Sequence, residues 1–282
     1  MSHNLCFLLA TQRSGTNMLR RVLDTHPNIC TLPEVFDDSS GRSHLSENGG
    51  APYFHTALLE KIRENAEVGL PANRTENVRN YFKLLENHYV TPDISAIVDV
   101  KFSSLHHADG AWIRPSSPPQ MLKIIKAHNY PVIVLRREDN VATTISLFRA
   151  GASNQYHADR PELIKPVRYG IEPNILLNTI RAHEEQDALV NLWLNRLNPK
   201  RIELSYEELF IGEPGSDLDP EAFAAIGRFL NIDPYLFDCV PRMVKVSVRG
   251  YREEIENFDE LEEALRDTIY HKDLIAGEHS RG

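Results

Sequence analysis

A short polar stretch near the N-terminus combines one arginine with small hydroxyl and amide residues around a single glycine. It reads Thr-Gln-Arg-Ser-Gly-Thr-Asn over residues 11–17. Backbone N–H groups in such a loop can converge on one point, and a following helix adds the positive end of its dipole. This chemistry suits a phosphate. We therefore predict an anion site in which Arg13 supplies charge, Gly15 permits close approach, and Ser14, Thr16 and Asn17 add donors.

The flanking residues predict the elements that hold this loop. The apolar run at residues 5–10 is short enough for a buried parallel strand. Apolar residues at helical spacing follow the loop, and His26-Pro27 predicts the end of that helix. The loop lacks the first glycine and the lysine of a Gly-x4-Gly-Lys-Ser/Thr motif. Its sequence therefore argues against an ATP or GTP hydrolase.

Basic residues stand at the ends of two further predicted strands. Arg136 and Arg137 follow the apolar run 131–135 and precede a predicted helix at 138–149. Positive charge at a helix N-terminus is unfavourable without an anion, and a guanidinium offers a planar fork for phosphate oxygens. Lys101 lies near the end of a strand predicted at 96–102, where sites of open α/β sheets lie. His106 and His107 follow it at a spacing that fits no compact metal-ligand set, so we predict no metal.

Strands alternate with helices along the chain, which predicts an α/β fold with a central parallel sheet flanked by helices. Helices at 57–67 and 76–89 predict a helical insertion at about 56–90, with Leu58, Leu59 and Ile62 facing inward from the first. Residues 151–173 are predicted to form a lid-like loop. We expect one domain spanning residues 1–282.

Composition limits the function classes. A net charge of −9 argues against nucleic-acid binding. The sequence contains no apolar run of 18 residues, so we predict no membrane span. Three widely spaced cysteines favour reduced thiols in the cytoplasm over a disulfide framework.

The stretch TQRSGTNML resembles the phosphosulfate-binding loop of sulfotransferases, in the variant similar to bacterial trehalose sulfotransferase. The resemblance implies a P-loop-like nucleotide-binding sulfotransferase fold and a metal-free reaction. Its donor would be 3'-phosphoadenosine 5'-phosphosulfate (PAPS), and its product adenosine 3',5'-bisphosphate. Arg13 and residues 14–17 would then hold the 5'-phosphate as it leaves.

Other pieces of the chain, up to Tyr270, resemble the same family in the same order. The family's 3'-phosphate site pairs a strand-end arginine with a hydroxyl residue two helical turns on. Here Arg137 with Ser146 fits the bacterial spacing, and Arg136 with Thr144 fits the cytosolic one, so both pairings stay open.

Three further assignments also come from this resemblance. Pro-Glu-x-Phe at residues 33–36 resembles the segment that carries a catalytic glutamate, which makes Glu34 the candidate base and His106 or His107 the alternative. A basic stretch before Ile-x-Asn at residues 255–257 makes Lys245 and Arg249 candidates for contacting the donor. Tyr206-Glu-x-Leu, after a strand at 201–204, is assigned a structural role.

The expected function is transfer of a sulfuryl group from PAPS to a hydroxyl of a carbohydrate, lipid or small-molecule acceptor. One alternative is a nucleotide or sugar kinase with a degenerate phosphate loop, which would need Asp99 to hold magnesium. We expect strand alternation to place Asp99 on the side away from Lys101. The other alternative is a non-catalytic nucleotide binder. The sequence leaves the oligomeric state open, a homodimer being one option.

Overall fold

The computed structural model describes residues 5–37, 44–45, 50–109, 116–156, 161–211, 217–240 and 250–279. Within these ranges, five strands form one all-parallel sheet in the order β2-β3-β1-β4-β5. The strands are β1 (Leu5–Ala10), β2 (Ile29–Glu34), β3 (Ser95–Lys101), β4 (Val132–Arg136) and β5 (Arg201–Ser205). The longer helices are α1 (Thr16–Leu23), α2 (Phe54–Glu64), α3 (Arg74–Tyr89), α4 (Gln120–Ala127), α5 (Asn140–Ser153), α6 (Pro173–Leu197) and α7 (Pro220–Leu230). Three C-terminal helices follow: α8 (Tyr251–Glu254), α9 (Phe258–Leu265) and α10 (His271–His279).

The central strand β1 is fully buried because helices cover both faces of the sheet. Its side chains alternate between two hydrophobic clusters. Leu5, Phe7 and Leu9 join the cluster that includes α2, α3 and α4, whereas Cys6, Leu8 and Ala10 join the one that includes α1 and α7. The predicted α/β fold with a central parallel sheet is confirmed. Since β1 has β3 on one side and β4 on the other, its loop lies at a topological switch point.

The edge strand β2 has no counterpart in the sequence prediction, and it contains Pro33, a residue that cannot donate to a strand ladder. The structure places this proline at an irregularity, where the register with β3 shifts between Leu32 and Glu34. A bulge of this kind changes the direction in which the next side chain points. After the shift, Glu34 lies beside Asp99 at the carboxyl end of β3.

The two helices of the predicted insertion are present as α2 and α3, but the predicted inner face of α2 is wrong. Leu59 is 56% exposed, and Phe54 and Ala57 are buried instead. The helix begins at Phe54, so its apolar stripe starts one turn earlier and continues through Leu58. Within the described ranges, no helix has both the length and the apolar composition needed to cross a membrane.

The C-terminal helices pack against α5 and α6 in a third hydrophobic cluster. A buried ion pair joins Arg149 of α5 to Glu254 of α8, with 3.1 Å between Nε and Oε2. Asn257 donates to and accepts from the backbone of Ile171, at 2.8 and 3.0 Å. Because α5 continues to Ser153 and α6 begins at Pro173, the connection between these helices is shorter than the predicted 151–173. Residues 157–160 of this loop lie outside the described residues, and its lid role stays a prediction.

Candidate functional site

The loop between β1 and α1 has two residues in the left-handed region of backbone space. Arg13 has φ 63° and Gly15 has φ 89°. Gly15 is also the N-cap of α1, and having no side chain it makes no capping bond there. The first-turn N–H groups of α1 therefore face the loop without competition from a capping side chain.

A tyrosine that the sequence analysis treated as structural shapes this loop. A Cβ atom on Gly15 would lie 2.3 Å from Cδ2 of Tyr206, so the ring occupies the space that any other residue would need. The Tyr206 N–H donates to the carbonyl of Arg136 at 2.6 Å, and the Arg137 guanidinium lies 5.0 Å from the ring centroid. Tyr206 thus contacts both the loop and Arg137. Its remoteness in sequence from both hid this role.

The hydroxyl groups of the loop are turned inward. Ser14 is buried and donates to the Thr11 carbonyl at 2.7 Å. Thr16 is buried and accepts from Lys101 Nζ at 2.6 Å, while Asn17 Oδ1 accepts from Arg20 at 3.3 Å. The expectation that these three side chains donate to an anion is therefore corrected for Ser14, whose O–H is already used. What the loop can offer is its backbone N–H groups, Arg13 and the hydroxyl proton of Thr16, because Thr16 accepts in its contact with Lys101.

Two arginines meet beside the loop. Arg13 Nε donates to Ser146 Oγ at 3.1 Å, and its terminal nitrogen donates to the Tyr156 carbonyl at 3.0 Å. Arg137 reaches the Arg13 carbonyl at 3.4 Å, and within the described part of the chain its buried Nε has no hydrogen-bond partner. Burial lowers the pKa of Arg13, and the charges of Arg137 and Arg149 lower it further.

The neighbouring pair, Arg136 and Thr144, has its contacts elsewhere. Arg136 forms an ion pair with Glu203 of β5 at 2.7 Å and also contacts Asn191 of α6. Thr144 is fully buried, with its hydroxyl 3.4 Å from Nδ1 of His183 on α6. The structure therefore brings Arg13, Arg137 and Ser146 together, and Arg136 and Thr144 face α6 instead.

Glu34 lies beside the loop and contacts a buried lysine. Its Oε1 is 3.4 Å from Lys101 Nζ, which also lies 2.9 Å from Oδ1 and 3.0 Å from Oδ2 of Asp99. Burial raises the pKa of Glu34, Lys101 opposes that rise, and Asp99 and Asp37 add to it. A carboxylate with a raised pKa and a side chain that is 35% exposed is suited to accept a proton. Within the described residues, Glu34 forms its ion pair with Lys101 rather than with Arg13.

The expectation that Asp99 points away from Lys101 is wrong. Residues two apart on a strand share a face, and Lys101 bonds both carboxylate oxygens of Asp99. Within the described ranges, no three His, Cys, Asp or Glu side chains are grouped as metal ligands would be.

The alternative bases lie in a 3₁₀ helix, Phe102–Ala108, that follows β3. The His107 ring packs edge-on against the Phe36 ring, with 5.3 Å between the ring centroids. The His106 and His107 ring centroids are 4.9 Å apart. His106 is exposed. Phe36 is only two residues after Glu34, so these histidines lie on the same side of the site and stay candidates. Lys245 and Arg249 lie outside the described residues.

Solved structures similar to the chain include three sulfotransferases. The sulfotransferase domain from the curacin biosynthetic pathway is 17% identical, with a TM-score of 0.45 over 90% of this chain and 82% of that one. The sulfotransferase domain from the Synechococcus PCC 7002 olefin synthase is 15% identical, with a TM-score of 0.44 over 99% and 94%. Mouse sulfotransferase SULT7A1, complexed with PAP, is 13% identical, with a TM-score of 0.39 over 97% and 88%. No protein-family model and no curated protein sequence matches the chain. Likenesses at this identity and score do not by themselves assign a function.

Proposed function

We propose that the protein is a PAPS-dependent sulfotransferase acting on a hydroxyl of a carbohydrate, lipid or small-molecule acceptor. The observation that carries the proposal is the meeting of Arg13 and Arg137 at the N-terminus of α1. Within the described ranges, neither arginine forms an ion pair with a carboxylate. Arg13 donates to Ser146, and Arg137 donates to the backbone carbonyl of Arg13. Two adjacent cations that have no carboxylate partner among the described residues favour a bound polyanion.

The two cations have separate roles in this proposal. Arg13 and the backbone N–H groups of residues 14–17 hold the 5'-phosphate side of the donor and stabilise the negative charge that builds as the sulfur–oxygen bond breaks. Arg137 and Ser146 hold the 3'-phosphate. The oxygen of the acceptor hydroxyl bonds to sulfur while Glu34 accepts the hydroxyl proton. This attack requires in-line geometry, which a donor held in a fixed position provides.

The kinase alternative loses its proposed metal ligand. This alternative needs Asp99 to hold magnesium, and both oxygens of Asp99 accept hydrogen bonds from Lys101. A magnesium ion would have to displace a buried lysine that already compensates the charge of Asp99. A non-catalytic nucleotide binder would use the same anion site. It differs from the proposed enzyme only in that Glu34 would not act as a base.

Calorimetric titration tests the proposed donor. Adenosine 3',5'-bisphosphate should bind much more tightly than adenosine 5'-monophosphate or ATP with magnesium. Arg137→Ala should weaken the bisphosphate by about 1.5–3 kcal/mol, or roughly tenfold to a hundredfold, because a charge-assisted contact is lost. Arg136→Ala is the matched control and should leave that affinity unchanged, since Arg136 contacts Glu203 and Asn191. Equal affinities for bisphosphate and monophosphate would refute the 3'-phosphate site.

A turnover assay distinguishes a sulfotransferase from a non-catalytic nucleotide binder. Incubation with PAPS and a panel of carbohydrate, lipid and phenolic hydroxyl compounds should release adenosine 3',5'-bisphosphate together with a sulfated product. Tight bisphosphate binding without product from any acceptor would favour the non-catalytic binder.

A further inference from the structure

Lys101 connects three elements of the site through one nitrogen. Its Nζ lies 2.6 Å from Thr16 Oγ1 at the start of α1, 2.9 and 3.0 Å from the carboxylate of Asp99 on β3, and 3.4 Å from Glu34 on β2. The Lys101 residue is 3% exposed, and Asp99 is 0% exposed. Burying a lysine is costly unless carboxylates compensate its charge, and here two carboxylates contact it.

The charges of this cluster do not cancel. Asp99 and Lys101 form a neutral buried pair, and Glu34 adds a second negative charge at the exposed end. The proton affinity of Glu34 therefore depends on the balance between attraction to Lys101 and repulsion by Asp99. The groups that act on Glu34 are Lys101 and Asp99 on β3, Asp37 after β2, and Arg13 at a greater distance.

The position of Glu34 also depends on this lysine. The irregularity around Pro33 brings Glu34 level with Asp99, and the ion pair with Lys101 then holds the carboxylate next to the anion loop. The Thr16 contact ties the same lysine to the first turn of α1. One side chain thus sets the distance between the carboxylate and the loop.

We propose that Lys101, held by Asp99, is a positioning residue that fixes Glu34 beside the loop and keeps it ionised as the base. The inference rests on the proposed function, because it needs Glu34 to be the base. It explains why a carboxylate in a partly desolvated site remains able to accept a proton near neutral pH.

The test compares two variants that both lack the Asp99 charge. Asp99→Asn keeps Lys101, and Asp99→Asn combined with Lys101→Met removes it without leaving an unpaired buried carboxylate. The acidic limb of the kcat/KM profile against pH should lie about 1 pH unit or more higher in the double variant, because Glu34 has lost its cation. Lys83→Met, at an exposed lysine of α3, is the charge-matched control and should leave the limb in place.

A purely structural role predicts a different result. The double variant would then be less stable, but the acidic limb would stay where it is in Asp99→Asn, and that outcome overturns the inference. Carboxyl NMR titration of Glu34 provides a second readout without donor or acceptor, and its pKa should rise in the double variant. If the wild type neither binds bisphosphate nor turns over, the proposed function fails. If it does both and the Glu34 titration does not move, only the role of Lys101 fails.

Discussion

The contact between Gly15 and Tyr206 leads to a prediction whose magnitude can be worked from the structure. Gly15→Ala places a Cβ atom at φ 89°, where a residue with a side chain loses about 1–2 kcal/mol. The same atom would lie 2.3 and 2.6 Å from two ring carbons of Tyr206. Overpacking of this kind costs about 1–3 kcal/mol. We therefore expect a loss of about 2–5 kcal/mol in the free energy of unfolding.

The ring has little freedom to move away from the new methyl group. The Tyr206 backbone is bonded to Arg136 at 2.6 Å, and its ring lies under Arg137 at 5.0 Å. Urea unfolding should be measured for Gly15→Ala, Tyr206→Ala and the double variant. In the Tyr206→Ala background the steric part disappears, and Gly15→Ala should then cost only the backbone part of about 1–2 kcal/mol.

A second glycine provides a control of opposite sign. Gly151 lies in α5, and a Cβ atom there would meet no other atom within 4 Å. Gly151→Ala should stabilise the protein by about 0.5–1 kcal/mol through helix propensity. The reasoning is refuted if Gly15→Ala unfolds at the same urea concentration as the wild type. It is equally refuted if removing the Tyr206 ring leaves the cost of Gly15→Ala unchanged.

Two further predictions concern buried polar groups away from the loop. Arg149→Met should lower the free energy of unfolding by about 3–5 kcal/mol because it removes the cation that pairs with the buried carboxylate of Glu254, and adding Glu254→Gln should recover much of that loss in urea unfolding. Burial lowers the pKa of His183, so the unfolded chain binds a proton more readily than the folded one. Stability should therefore fall as the pH drops below about 6.5, and His183→Gln should make that fall shallower in unfolding curves recorded at successive pH values.

The elements with strong local signals could be predicted from the sequence. The apolar run of β1 predicts bounds that match the structure, and the strand predicted at 201–204 is only one residue shorter than β5. The strand β2 could not be predicted, because its proline is tolerated only through an irregularity at the sheet edge, and that depends on pairing with β3. The inner face of α2 was missed because periodicity fixes the spacing of a stripe more firmly than its first residue.

The site shows the same division between local and long-range information. Strand-loop-helix logic identified the loop and its arginine, and the basic residues after β4 were found in the same way. Which of Arg136 and Arg137 faces the loop depends on Glu203, Asn191 and Tyr206, which are distant in sequence. The ion pair between Glu34 and Lys101 depends on the register of two neighbouring strands. No pattern within one segment carries that information.

The irregularity around Pro33 has a consequence for behaviour at high protein concentration. A sheet edge with a regular row of N–H and C=O groups is a template on which another chain can add a strand. The strand β2 forms one edge of this sheet, and Pro33 removes one N–H while the register shift interrupts the row. The edge is therefore a poor template for strand addition. The same irregularity that directs Glu34 toward Lys101 thus protects the sheet against edge-to-edge aggregation.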